Sequence, residues 1–428
     1  MNNVAYINAR LLDPVTGLDA VGSLLVSGKK IVDFGPHLFR NGVPEGMKVV
    51  DCKGHCLAPG LFDMRVQLRE PGEEHKETLQ TATRAAVASG ITSMVCLPNT
   101  NPVMDEGASV EFVARRARKA ALTKIYTYAA ITKGLEGKEF AEMGILSEAG
   151  AVAFTDGVKS VADALVMRRA LSYAATFGLL IIQHSEEPSL ATGDMNEGEL
   201  ATRLGLSGIS PMAEVIMLER DLRLVELTGG RYHVAHISTA ESVEVIRRAK
   251  DRGLKVTCDT APPYFALNEL EVKEWRTFAK LSPPLRREED RRAIVEGLKS
   301  GVIDAIASDH APQDQDSKRL PFAQAAFGGI GLETLLAVSL ELYHNGYMSL
   351  NQVLGHMTYA PADILGLDGG RLRRGGAADF IVFDLDRPWQ VTEAALLSKS
   401  KNSPFDKRAL QGKVLRTIID GREVYTYE

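Results

Sequence analysis

Three apolar runs in this chain end on a residue able to bind a metal or move a proton. Gln183-His184-Ser185-Glu186-Glu187 and Tyr232-His233-Val234-Ala235-His236 carry histidines there, and Ala307-Ser308-Asp309-His310 carries a carboxylate. Two neutral imidazoles with carboxylates make a donor set suited to zinc. A metal so held would acidify a bound water to hydroxide near neutral pH, which is hydrolase chemistry. Asp309 would then be the natural proton shuttle. Cys52, His55 and Cys56 also invite a zinc reading. No second ligand pair follows at finger spacing, so they read as a loop and strand leading into Leu57-Ala58-Pro59-Gly60.

Such residues need elements to bring them together. Between residues 55 and 368, short β-branched runs alternate with longer helical stretches: Thr92 to Leu97, Lys124 to Tyr128, Ala151 to Phe154, Leu179 to Ile182, Tyr232 to His236, Lys255 to Cys258 and Ala305 to Ala307. Near-continuous apolar strands with helices between them imply a parallel sheet covered on both faces. About eight such units suit an α/β fold of the (β/α)8 TIM-barrel type, whose chemistry sits at the C-terminal ends of its strands. Polar residues fall at those ends: Asp63 to Arg69, Asn99, Asp156, His184, His236, Ser282 and Asp309. Residues 1–54 and 369–428 have a different texture, short strands and turns, and are expected to pair into a small β domain built from both termini.

The 428 residues are 45% hydrophobic and 25% charged, the composition of a globular protein with a sizeable core. A net charge of -5 with interspersed signs points to neither nucleic acid nor an anionic membrane as partner. No apolar run approaches the ~18 residues of a spanning helix, and the start lacks the pattern of a secretory signal. Four scattered cysteines form no disulfide framework and suit a reducing cytoplasm.

Asp63-Met64-Arg65-Val66-Gln67-Leu68-Arg69-Glu70-Pro71-Gly72 resembles the dihydroorotase signature Asp-x-His-x-His-x-Arg-Glu-Pro-Gly. Leu97-Pro98-Asn99-Thr100, Phe327-Gly328-Gly329-Ile330-Gly331 and Leu397 to Phe405 are similar to that family too. The resemblance covers nearly the whole chain. It implies an amidohydrolase barrel and a place in de novo pyrimidine synthesis, where the family closes N-carbamoyl-aspartate to dihydroorotate reversibly. It assigns Arg69, Asn99, Phe327 and Gly328 to the substrate, His184, His236 and Asp156 to metal, and Asp309 to catalysis and metal.

Where the chain departs from the family, it does so at the site. Arg65 and Gln67 replace the signature histidines that hold one metal, and arginine offers no lone pair for one. Thr155-Asp156-Gly157 stands for Asp-Asp-Gly, so the metal-bridging position falls on Gly157. Ser282 replaces a substrate-contacting asparagine, Gln313 a substrate-contacting histidine, and Pro262-Pro263-Tyr264 the family's Pro-His-His. Strand alternation should aim Arg65 and Gln67 the same way, where a guanidinium could stand in for the metal's charge beside Asp309 or Asp156. The expectation is a catalytically impaired homologue, most like the non-catalytic ones that accompany aspartate carbamoyltransferase as structural subunits. It would be a homo- or hetero-oligomer holding at most one zinc, with Leu397 to Phe405 and the β domain as candidate partner contacts. The alternative is an active dihydroorotase, or related cyclic amidohydrolase, using one metal on His184, His236 and Asp309. A third reading is a binding protein that senses a dicarboxylate through Arg69 and Asn99.

Overall fold

The computed structural model describes residues 3–120 and 122–427. Eight strands form the parallel sheet: β1 (Leu61–Val66), β2 (Ile91–Cys96), β3 (Lys124–Ala129), β4 (Ala151–Phe154), β5 (Leu180–His184), β6 (Arg231–Ala235), β7 (Val256–Thr260) and β8 (Ala305–Ile306). Each pairs with the next in chain order. A parallel bridge between Val66 and His310, with Gln67 N–H donating to His310 O at 2.9 Å, joins the last strand to the first and nearly closes a barrel.

Alternation along the strands sorts the core into two shells. Phe62, Met64, Val95, Leu97, Tyr128 and Ile182 fill the barrel's interior, while Leu61, Met94, Cys96, Ile181 and Val234 pack outward against the helices. Ala362, Ile364 and Leu365 of the helix Tyr359–Leu365 join the interior shell, where Ile364 O accepts a bond from Arg231 at the start of β6. Apolar side chains therefore plug the N-terminal end and leave the other end to polar residues. The β1–β2 register shifts between Asp63 and Val66, the kind of irregularity that re-aims side chains at barrel rims.

The second sheet takes strands from both termini, in the order Arg422–Thr426, Ala409–Ile419, Phe380–Gln390, Cys56–Pro59, Asn3–Asp13, Leu18–Ser27 and Lys30–Gly35, with Lys48–Asp51 also on Asn3–Asp13. Its N-terminal share runs to Pro59, past the boundary at residue 54 read from the sequence. No helix among the described residues is long and apolar enough to cross a membrane.

Candidate functional site at the barrel mouth

The C-terminal ends of the strands surround a cavity of about 270 Å³ lined by Arg65, Gln67, Arg69, Asn99, His184, His236, Ser282, Asp309, Gln313, Phe327 and Gly328. Asp156, Gly157 and Tyr264, also singled out in the sequence, lie outside that lining. Val158, Leu281 and Ala311 complete it. Arg69, His236 and Asp309 hold left-handed backbone, with φ of 60°, 39° and 49°. Such strain in non-glycine residues persists only where surrounding structure imposes it, and it clusters at functional sites.

Arg65 is 2% exposed, and its Nε donates to Asp309 Oδ1 at 2.9 Å. Its Nη2 donates to Gly157 O at 3.1 Å, and its Nη1 is buried without a partner. Gly157 has a φ of 71°, backbone that favours glycine, and presents its carbonyl to the guanidinium. Burial would raise the Asp309 carboxyl, but His236 and then Arg65 outweigh it and hold the group below the usual carboxylate range.

From Asp309 a chain of bonds runs across the mouth. Asp309 Oδ2 lies 3.2 Å from His236 Nδ1, His236 Nε2 lies 2.9 Å from His184 Nδ1, and His184 Nε2 lies 3.1 Å from Glu186 Oε2. A carboxylate only accepts, so His236 carries its proton on Nδ1. Burial, and then Arg65, lower the His236 pKa, which keeps the ring neutral. Its Nε2 must therefore accept from His184 Nδ1. Burial would raise Glu186, but His184 and Arg286 hold it low, as a carboxylate. Ser282 Oγ reaches the same Glu186 oxygen at 3.4 Å.

The other positions are tied to protein partners. Asn99 Nδ2 donates to Gln67 Oε1 at 3.1 Å. Arg69 donates from Nε to Pro312 O at 3.1 Å and from Nη1 to Glu73 Oε2 at 2.6 Å. Gln313 Nε2 donates to Phe327 O at 2.7 Å. Asp156 turns away from the mouth: the Ile131 and Thr132 amides donate to its Oδ1 at 3.0 and 2.9 Å, and Thr132 Oγ1 donates to its Oδ2. Below Arg65, buried Asp63 accepts from the Ser308 and Arg65 amides at 3.0 and 3.2 Å, and burial pushes its pKa up to about 6.

A zinc centre needs lone pairs converging on one point. Arg65 has none, Asp156 is committed to the Ile131–Thr132 backbone, and the two imidazoles face each other rather than a common centre. Among the described residues, no three His, Cys, Asp or Glu side chains are grouped to hold a metal ion. The donor set, as arranged, does not fit the two-metal centre that the resemblance implies.

Glu186 escaped the sequence reading, although it lies two residues beyond His184 in a motif already singled out. Glu73, four residues after Arg69, was equally within reach of a spacing argument. Leu397 to Phe405 is wound into the mouth instead of lying free. Asn402 Oδ1 accepts from Gln313 N–H at 3.3 Å and its Nδ2 donates to Gly328 O at 3.1 Å, while Ser398 and the Lys399 amide bond Glu77.

The dihydro-orotase-like family profile matches residues 54–242, and the amidohydrolase family profile matches residues 226–425. The chain is 47% identical to the dihydroorotase of Ehrlichia chaffeensis over 428 residues, covering 99% of this chain and 95% of that one. It is 44% identical to the dihydroorotase of Citrifermentans bemidjiense over 424 residues, covering 99% of each. Among solved structures, the L-hydantoinase (dihydropyrimidinase) of Arthrobacter aurescens superposes with a TM-score of 0.88 at 23% identity, over 100% of this chain and 96% of that one, a likeness of fold.

Proposed function

Since the chain belongs to the dihydroorotase family of the amidohydrolase superfamily, we propose that it serves pyrimidine biosynthesis as a dihydroorotase-like protein without efficient hydrolysis, acting as a structural subunit with aspartate carbamoyltransferase. The observation that carries this reading is the Arg65 guanidinium, 2% exposed and 2.9 Å from Asp309. Attack on a cyclic amide at neutral pH needs an activated water, and a metal would supply it as bound hydroxide. Arginine stays protonated and presents no lone pair, so it neutralises Asp309 without activating water. Asp309, bonded to both Arg65 and His236 and held low, is a poor proton acceptor. A subunit role asks for an intact barrel and surface but no metal. The four free, buried cysteines support a cytoplasmic setting.

Elemental analysis of the purified protein, with an absorbance assay on dihydroorotate with and without added zinc, tests the chemistry. The expected result is less than one equivalent of zinc and no turnover. Two bound metals with turnover near ~10 s⁻¹, typical of enzymes, would refute it. Co-expression with aspartate carbamoyltransferase and size-exclusion chromatography tests the assembly, where a lasting complex should bury upward of about 1,000 Å². Separate elution at micromolar concentration refutes the subunit role. The second reading, a one-zinc dihydroorotase, is favoured by His184, His236 and Asp309 all lining the same cavity. A single tightly held zinc with turnover would select it.

A further inference from the structure

The loop that caps the cavity, residues 313–329, is fastened by two lysines, Lys280 and Lys318, only 2% and 3% exposed. Lysine is seldom buried so completely, because its ammonium must find three acceptors away from water. Lys318 Nζ donates to the carbonyls of Ala326, Thr277 and Lys280 at 2.6, 3.0 and 3.3 Å, with no carboxylate among these partners. Lys280 Nζ donates to the carbonyls of Phe322 and Ala323 at 2.8 and 3.0 Å and to Asp194 Oδ1 at 2.9 Å. It also lies 4.6 Å from the centre of the Phe327 ring, within cation–π range.

The backbone between these anchors is the part of the loop that faces the cavity. Gly328 N–H donates to Lys280 O at 3.0 Å, Gly328 O accepts from Asn402 Nδ2 at 3.1 Å, and Phe327 O accepts from Gln313 Nε2 at 2.7 Å. Ala326 N–H donates to Ser317 O at 3.1 Å. From Ala326 to Gly328, the backbone donor left without an acceptor among the described residues is Phe327 N–H. Gly328 has a φ of 113°, and a Cβ there would meet Ala311 Cβ and O at 2.9 Å, so the backbone runs as close to the cavity wall as glycine allows.

We propose that Lys318 and Lys280 are positioning residues that together hold the Ala326–Gly328 backbone so that Phe327, through its ring and free N–H, is presented to a ligand in the cavity. Neither lysine lines the cavity, so both act through the loop. A pair of apolar side chains would serve packing alone at these buried positions, without drawing carbonyls from two segments onto one point. Every carbonyl the two Nζ atoms gather belongs to the loop or to residues 277–280, on which it rests. The inference goes beyond the proposed function, because it concerns the loop whether or not the cavity hydrolyses its occupant.

Amide hydrogen exchange and calorimetry with N-carbamoyl-aspartate as the probe test it. In the wild-type protein the Gly328 amide should be protected as strongly as the barrel strands. Lys318→Met and Lys280→Met each remove three anchoring bonds, and should speed its exchange, and weaken probe binding, by about tenfold or more. The amides of β5 and β6 should be unchanged, which separates loop positioning from general loss of stability. Unchanged Gly328 exchange in both variants overturns the proposal. So does a wild-type Gly328 amide that exchanges as freely as an open loop, a measurement that needs no variant. Faster exchange with undiminished probe binding overturns the presenting role.

Discussion

Arg65→Met removes the guanidinium from the barrel mouth while keeping an unbranched apolar stem of similar reach. Three consequences follow from the geometry. Asp309 Oδ1 loses a charge-assisted donor at 2.9 Å, Gly157 O loses one at 3.1 Å, and the carboxylate is left with His236, whose ring is neutral. Breaking one side of a buried ion pair typically costs 3–5 kcal/mol. The Asp309 side chain keeps 18% exposure against 2% for Arg65, so water can reach the orphaned carboxylate and the expected loss is about 3 kcal/mol. Urea unfolding followed by circular dichroism measures it as a lower midpoint at unchanged slope. The second arm is Arg65→Met with Asp309→Asn, which removes both charges and should recover most of the loss, because an uncharged pair leaves no buried ion. A single variant that loses less than about 1 kcal/mol, the scale of a surface pair, refutes the idea that Arg65 compensates Asp309. A double variant no more stable than the single one refutes it equally.

Restoring histidine with Arg65→His and Gln67→His should not restore normal turnover, because Gly157, Ser282 and Gln313 still differ from the family and such groups act as a unit; full recovery in the dihydroorotate assay would contradict this. Asp156→Ala should destabilise the fold by about 3 kcal/mol by orphaning two buried amides and a hydroxyl, and should leave zinc uptake, measured by elemental analysis, unchanged. Asp63 is raised from 3.8 to about 6 in the fold, so the folded state binds its proton more tightly than the unfolded chain does. Its contribution is complete below pH 4 and is lost as pH rises through 6, by about 3 kcal/mol. Asp63→Asn should flatten the stability profile between pH 4 and 6 and exceed wild-type stability at pH 7, as read by urea unfolding across pH.

The barrel was legible because parallel strands, covered on both faces, must be written as runs such as Thr92 to Leu97 and Leu179 to Ile182, which few other structures require. The mouth was legible where an inference needed only strand ends and alternation, which is how Arg65 could be placed beside Asp309. It failed where a side chain had a choice of partners. A strand-end carboxylate such as Asp156 can face the cavity or the amides of Ile131 and Thr132, some 24 residues upstream, and no local pattern distinguishes these. Leu397 to Phe405 read as a candidate partner contact because it matches the family outside the catalytic constellation, and nothing local shows that its Ser398, Ser400 and Asn402 are buried against Glu77, Lys76 and the capping loop. The two buried lysines are invisible for the same reason, since their acceptors are backbone carbonyls that every sequence supplies. What unites the site is charge. Arg65 faces Asp309, and Arg286 helps hold Glu186 as a carboxylate, so each carboxylate on the bonded chain across the mouth has a guanidinium to offset it without a metal. Reverting Arg65 alone would put a neutral ring where Asp309 needs a cation, and this is the physical reason that the substitutions must be reversed together if the chemistry is to return.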